Sequence, residues 1–125
     1  MKKILLIEDN DDIRENTCEL LELEGYEVVP ATDGRAGMLL AQERLPDIIL
    51  CDIMMPQADG YEVFRELKAT PSTAAIPFIF LTANSENTEM EAAMRLGADG
   101  YIRKPFSPEE LLEALDRCCL LADKH

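Results

Sequence analysis

Three short runs of consecutive apolar residues mark the chain: Ile4-Leu5-Leu6-Ile7, Ile48-Ile49-Leu50-Cys51 and Phe78-Ile79-Phe80-Leu81, each bounded by polar or turn residues. Unbroken runs of this length suit strands covered on both faces of a parallel sheet, because a strand with one wet face would alternate. Tyr26 to Ala31 does alternate at Glu27 and carries Pro30, which cannot donate to a ladder, so it predicts an edge strand. The short Gly100-Tyr101-Ile102-Arg103 suits the opposite edge.

Helical signals fill the intervals. Asp11 to Glu24 sets Ile13, Thr17, Leu20 and Leu21 on one face and Asp12, Glu15, Glu19 and Glu22 largely outside it, and Gly25 ends it. Asp33 caps a second helix through about Arg44, stopped by Pro46, and Asp59 starts a third that finishes before Pro71. Ser85 precedes a fourth that closes at Gly97. The fifth opens at Ser107-Pro108-Glu109-Glu110, with Ser107 as N-cap, Pro108 as first helical residue and Glu110 completing a capping box. Strand then helix, repeated in this way, implies a parallel sheet with helices on both faces and right-handed crossovers. With the polar-containing strands at the edges, the expected architecture is a flavodoxin-like (βα)5 doubly wound α/β fold, strand order 2-1-3-4-5. Ligands of such a sheet sit beyond the carboxyl ends of the strands, between strands 1 and 3.

Composition adds bounds. The 125 residues predict one domain, 1–125, and 47% apolar against 30% charged residues provides for a real core. Twelve Lys and Arg against 25 Asp and Glu leave a net charge of −13, which argues against direct binding to nucleic acid or an anionic membrane surface. Lys2 and Lys3 before Ile4 to Ile7 imitate a signal peptide only faintly, since Glu8 and Asp9 end the apolar run. The apolar stretch Ala74 to Leu81 is far below the ~18 residues needed to span a bilayer. Cys18, Cys51, Cys118 and Cys119 form no C-x-x-C pair and have no nearby His, so a reduced cytoplasmic protein is expected, with Cys51 and Cys118 as small core residues. Met54 and Met55 read as loop packing, and Met90 and Met94 as core contacts.

The residues at the carboxyl ends of the apolar runs carry the chemistry: Glu8 and Asp9, then Asp52, Thr82 and Lys104. Strands 1 and 3 lie about 4.8 Å apart in the expected order, so Glu8, Asp9 and Asp52 crowd three carboxylates into one small site. Without a cation that is electrostatically costly, and hard oxygen ligands suit Mg²⁺, with Mn²⁺ as an alternative. A metal and Lys104 can neutralise the equatorial oxygens of a phosphoryl group while Thr82 donates a hydrogen bond and a carboxylate provides the attacking oxygen. Singly, each residue has a plainer reading: Asp9 as a helix N-terminal charge, Thr82 as a strand end, Tyr101 as edge packing, Lys104 as a solvated cation. Asp52 is different, because an Asp closing an apolar run costs stability unless something pairs with it.

The sequence resembles the response-regulator receiver domains of two-component signalling. The likeness covers essentially the whole chain and is carried by Ile4-Leu5-Leu6-Ile7-Glu8-Asp9-Asn10, Ile49-Leu50-Cys51-Asp52-Ile53-Met54-Met55-Pro56, Asp59-Gly60, Leu81-Thr82-Ala83 and Gly97 to Phe106. The resemblance implies that Asp52 is the phospho-acceptor and that Mg²⁺ is bound by Asp9, Asp52, the Met54 backbone carbonyl and, through water, Glu8. It implies that Lys104 contacts the phosphoryl group and that Thr82 and Tyr101 form a switch pair acting on the face of the fourth helix, fifth strand and fifth helix. It further implies a cis peptide at Lys104-Pro105, and a histidine kinase or histidine phosphotransfer protein as donor. Many family members carry Asp where Glu8 stands. Met54 and Asn84 sit two residues beyond Asp52 and Thr82, where side chains tune phosphoryl lifetime.

The expected function is a signalling switch that catalyses only its own phosphorylation and dephosphorylation. One domain of this length leaves room for the switch and none for a separate output; if these residues are the whole protein, signalling by protein contact is expected, with a phosphorylation-dependent homodimer as one form. The alternatives are a degenerate receiver acting as a constitutive interaction module, an aspartyl-phosphate phosphohydrolase and a flavin-binding module. The hydrolase is disfavoured by Met54, where a general-acid carboxylate is needed, and the flavin module by the acidic rim and the lack of a Ser/Thr/Gly-rich first turn.

Overall fold

The structure, a computed structural model, describes residues 2–55, 58–82, 91–92 and 94–123, of which 119–123 by backbone path alone. Strands β1 (Lys3–Ile7), β2 (Glu27–Ala31), β3 (Ile48–Asp52), β4 (Phe78–Thr82) and β5 (Gly100–Arg103) form one sheet in the order β2-β1-β3-β4-β5. Every pairing is parallel, as the unbroken apolar runs require. Helices α1 (Asp11–Leu23), α2 (Gly34–Arg44) and α3 (Gly60–Ala69) and a C-terminal helix (Pro108–Asp123) cover it.

Strand alternation sorts the core into two layers. Leu5, Ile7, Ile49, Cys51, Phe78 and Phe80 pack with α2 and α3, whereas Ile4, Leu6, Ile48, Leu50, Ile79 and Leu81 pack with α1 and the C-terminal helix. Rings of Phe64, Phe78 and Phe80 meet at 5.0–5.6 Å between centroids under α3, in tilted and edge-on geometries favoured by the ring quadrupole.

The helix starts follow their caps. Side chains of Asn10, Asp33 and Asp59 accept from the N–H groups of Ile13, Ala36 and Glu62, each at 2.9 Å. Ser107 and Glu110 close the capping box, with Glu110 N–H donating to Ser107 Oγ at 3.1 Å and Ser107 N–H to Glu110 Oε1 at 3.4 Å. On α1, Thr17 and Leu21 are buried, and Ile13 and Leu20 are half-buried. Gly25 follows with φ 92°, a conformation open to glycine.

The second helix runs to Arg44 as expected, and Leu45 caps it in the left-handed conformation at φ 46°, directly before Pro46. Other expectations need correction. Of the fourth helix, residues 91, 92, 94 and 95 are helical and Gly97 closes the turn at φ 96°, while its start at Ser85 lies outside the described residues. Met94 is 47% exposed instead of touching core, and Met54 is 71% exposed instead of packing its loop, because it projects from the rim beyond β3. Met55 does pack against the core. Met90 and the Cys119 side chain lie outside the described residues, whereas Cys51 and Cys118 are buried as expected.

Candidate functional site

Each strand of the sheet's centre delivers a polar residue where its apolar run stops. Beyond β1, Glu8 keeps the ladder for one more residue, its N–H donating to Ala31 O at 3.1 Å, and its side chain is fully buried. Asp9 follows, exposed at the rim, as Asn10 turns the chain into α1. Asp52 is the last residue of β3 and 6% exposed, and Thr82 is the last of β4 and 2% exposed. Lys104 follows β5, its N–H donating to the Thr82 carbonyl at 2.7 Å. The Lys104-Pro105 peptide is cis.

These backbone anchors bring the charges together. A carboxylate oxygen from each of Glu8, Asp9 and Asp52 falls within one cluster 4.8 Å across. The Lys104 ammonium bridges two of them, donating to Glu8 Oε1 and standing 3.1 Å from Asp52 Oδ2. Glu8 Oε2 also accepts from Asn10 N–H at 3.3 Å. The cluster opens into a cleft of about 840 Å³ lined by Asp9, Asn16, Asp52, Met54, Lys104 and Phe106, among others.

Proximity sets the ionisation of the group. Burial and then the hydrogen bond and negative charge of Glu8 push Asp52 up to about 7, against a partial offset from Lys104. Burial acts on Glu8 in the same direction, but its hydrogen bonds to Lys104 and Asp52 outweigh it and hold Glu8 below the ordinary carboxylate value. The two carboxylates therefore titrate as a pair that retains a proton near neutrality. Lys104 is raised: burial would lower it, but the Glu8 hydrogen bond and the charge of Asp52 prevail. Cys51, wholly buried next to Asp52, is pushed well above its usual value by burial and then by that neighbouring charge, so it stays a thiol.

The donor set fits a hard divalent cation. Three carboxylates served by one ammonium leave uncompensated negative charge, and oxygen donors of this kind match Mg²⁺ or Mn²⁺ better than a soft metal.

Register places Thr82 and Tyr101, the two residues expected to form a switch pair. Tyr101 pairs with Phe80 across β4 and β5, and Thr82 lies two residues beyond Phe80 on the same face. Tyr101 is 38% exposed. Met54 lines the cleft beside Asp52, Pro105 lines it beyond Lys104, and Asn84 lies outside the described residues. Two contributors had not been expected: Gly60, whose N–H donates to Ile53 O at 2.9 Å, and Arg14, which donates to the Glu8 carbonyl. Arg14 does leave a trace in the sequence, as the only basic residue of the acidic segment 11–23.

The family of response regulator receiver domains matches residues 4–116. The chain belongs to that family. It is therefore a receiver domain of two-component signalling, with the fold of its structural neighbours. This receiver is 33% identical to the chemotaxis protein CheY4 of Vibrio cholerae, with a TM-score of 0.89, covering 94% of this chain and 98% of that one. A response regulator receiver domain protein from Clostridium thermocellum superposes with a TM-score of 0.91 at 30% identity, covering 98% of both chains. By sequence the receiver is 42% identical over 119 residues to the probable transcriptional regulator ycf27 of Galdieria sulphuraria, covering 95% of this chain and 45% of that protein. It is 39% identical over 112 residues to the response regulator SaeR of Staphylococcus aureus, covering 90% and 48%. The chain thus spans about half the length of these two relatives. Among the described residues, no helix is long and apolar enough to cross a membrane.

Proposed function

We propose that residues 1–125 act as one phosphorylation-controlled switch, in which Asp52 accepts a phosphoryl group from the phosphohistidine of a kinase or phosphotransfer protein. The observation that carries this reading is the bridging of Asp52 and Glu8 by Lys104 inside a cluster of three carboxylates. An oxygen of Asp52 attacks phosphorus as the phosphorus–nitrogen bond to the donor imidazole breaks, so the carboxylate gains the phosphoryl group and the imidazole leaves. Asp9, Asp52, the Met54 carbonyl and, through water, Glu8 would hold Mg²⁺, or Mn²⁺ in its place. When bound, that ion neutralises charge on the transferring oxygens. Lys104 is close enough to Asp52 to turn from the carboxylates to a phosphoryl oxygen without leaving the cleft.

Thr82 stands on the neighbouring strand, where its hydroxyl can donate to the phosphoryl group, and the space it vacates is on the face that carries Tyr101. The outcome is a shift of population on the surface of β5, the C-terminal helix and the segment preceding β5. A downstream protein, or a second copy of the domain, would read that surface. The domain catalyses only its own phosphorylation and dephosphorylation and works in the cytoplasm. Met54, exposed beside Asp52, and Asn84 would tune how long the phosphoryl group lasts.

Incubation with acetyl phosphate and Mg²⁺ followed by intact-mass measurement tests the reading. One phosphoryl adduct is expected, and it should vanish with a chelator. No adduct from either acetyl phosphate or a kinase would favour a constitutive interaction module, and steady turnover of a phosphorylated metabolite would favour a hydrolase.

A further inference from the structure

The phosphoryl chemistry above makes no use of the guanidinium of Arg14. Its Nη1 donates to the Glu8 carbonyl at 3.0 Å and its Nη2 to Asp11 Oδ1 at 2.6 Å, and the side chain is only 14% exposed. The other polar groups of Glu8 are engaged elsewhere: its N–H with Ala31, its carboxylate with Lys104 and Asn10. The carbonyl that Arg14 takes belongs to the peptide joining Glu8 to Asp9. A peptide unit is planar, so fixing that carbonyl fixes the direction in which the chain leaves toward Asp9.

We propose that Arg14 is a positioning residue for divalent-cation binding, clamping the Glu8–Asp9 peptide to the first turn of α1 and so setting the Asp9 carboxylate against Asp52. The inference rests on reading Glu8, Asp9 and Asp52 as the Mg²⁺ site. Charge alone assigns Arg14 the opposite effect. A cation beside a cation site weakens it by Coulomb repulsion, so a purely electrostatic Arg14 would lower Mg²⁺ affinity and its removal would raise it. The two accounts differ in sign.

Calorimetric titration of Mg²⁺ into the full chain, Arg14→Lys and Arg14→Gln at one ionic strength decides between them, with thermal melts confirming that each variant folds. Arg14→Lys keeps the charge and one donor, whereas Arg14→Gln loses the charge and the fork. Positioning predicts affinity in the order wild type, Arg14→Lys, Arg14→Gln, with the last about tenfold weaker than wild type, the size of effect that partners of metal ligands have. Charge alone predicts Arg14→Lys equal to wild type and Arg14→Gln tighter, and that result overturns the proposal. A wild type that takes up no Mg²⁺ contradicts the reading of the site itself. Wild-type binding with unaltered variants contradicts only the role of Arg14.

Discussion

At the scale of single residues, the site is a balance between two buried carboxylates and one ammonium. Asp52 is raised from 3.8 to about 7 by burial and by Glu8, so between those values the folded protein holds more protons than the unfolded chain and stability falls as pH rises. Glu8 runs the other way: its pKa is lowered, so its contribution is present above 4.5 and is lost as pH falls through its folded value. Replacing Asp52 by Asn removes the first of these effects. Urea melts in a chelator at pH 8 should show Asp52→Asn more stable than wild type by on the order of 2 kcal/mol, a gain that shrinks toward pH 4. Lys104→Met should do the reverse, stranding Glu8 and Asp52 without a counter-charge and costing about 3 kcal/mol at pH 8, less at pH 5 as the carboxylates protonate. An equal loss of stability relative to wild type for Lys104→Met at the two pH values would contradict this picture. The convergence of Glu8, Asp9, Asp52 and Lys104 was legible because each follows or closes a strand on one rim of the sheet. Arg14 stood out only as a lone cation in an acidic segment, since a hydrogen bond to a carbonyl six residues back leaves no pattern in spacing.

At the scale of elements, the strands and the described helix starts could be read from the chain because their causes are local: apolar run length and capping side chains. The left-handed conformation of Leu45 could not, because a leucine in that region runs against intrinsic preference. The side chain is 54% exposed, so Leu45→Gly should relieve that strain at little packing cost. The net gain should be about 0.5 kcal/mol after the greater freedom of glycine in the unfolded chain is subtracted, readable as a small rise in melting temperature. Gly60 marks the opposite case. A Cβ there would stand 2.5 Å from the Asp52 carbonyl oxygen and 2.9 Å from Ile53 Cα, both backbone atoms with little room to move. Gly60→Ala should therefore cost about 1–3 kcal/mol and slow phosphorylation of Asp52. A variant as stable and as reactive as wild type would show that α3 does not bear on the acceptor. The exposure of Met54 and Met94 also escaped the sequence, because helical spacing or loop position predicts burial only where another element arrives to cover the side chain.

At the scale of the whole molecule, a charge of −13 is spread widely, yet the sheet directs three carboxylates to a single point. The parallel order β2-β1-β3-β4-β5 does this by placing β1 and β3 side by side and all carboxyl ends on one rim. Both core layers run under that rim, so a change at Asp52 bears on α3 through one face and on the C-terminal helix through the other. The central claim is that Asp52, and no other residue, receives the phosphoryl group. Reduction of the phosphorylated protein with borohydride converts an aspartyl phosphate to homoserine, and peptide mapping then locates it. The account predicts homoserine at position 52 alone, formed only when Mg²⁺ or Mn²⁺ is present during phosphorylation. Homoserine at position 9, or a phosphoryl adduct that persists in Asp52→Asn, would contradict it.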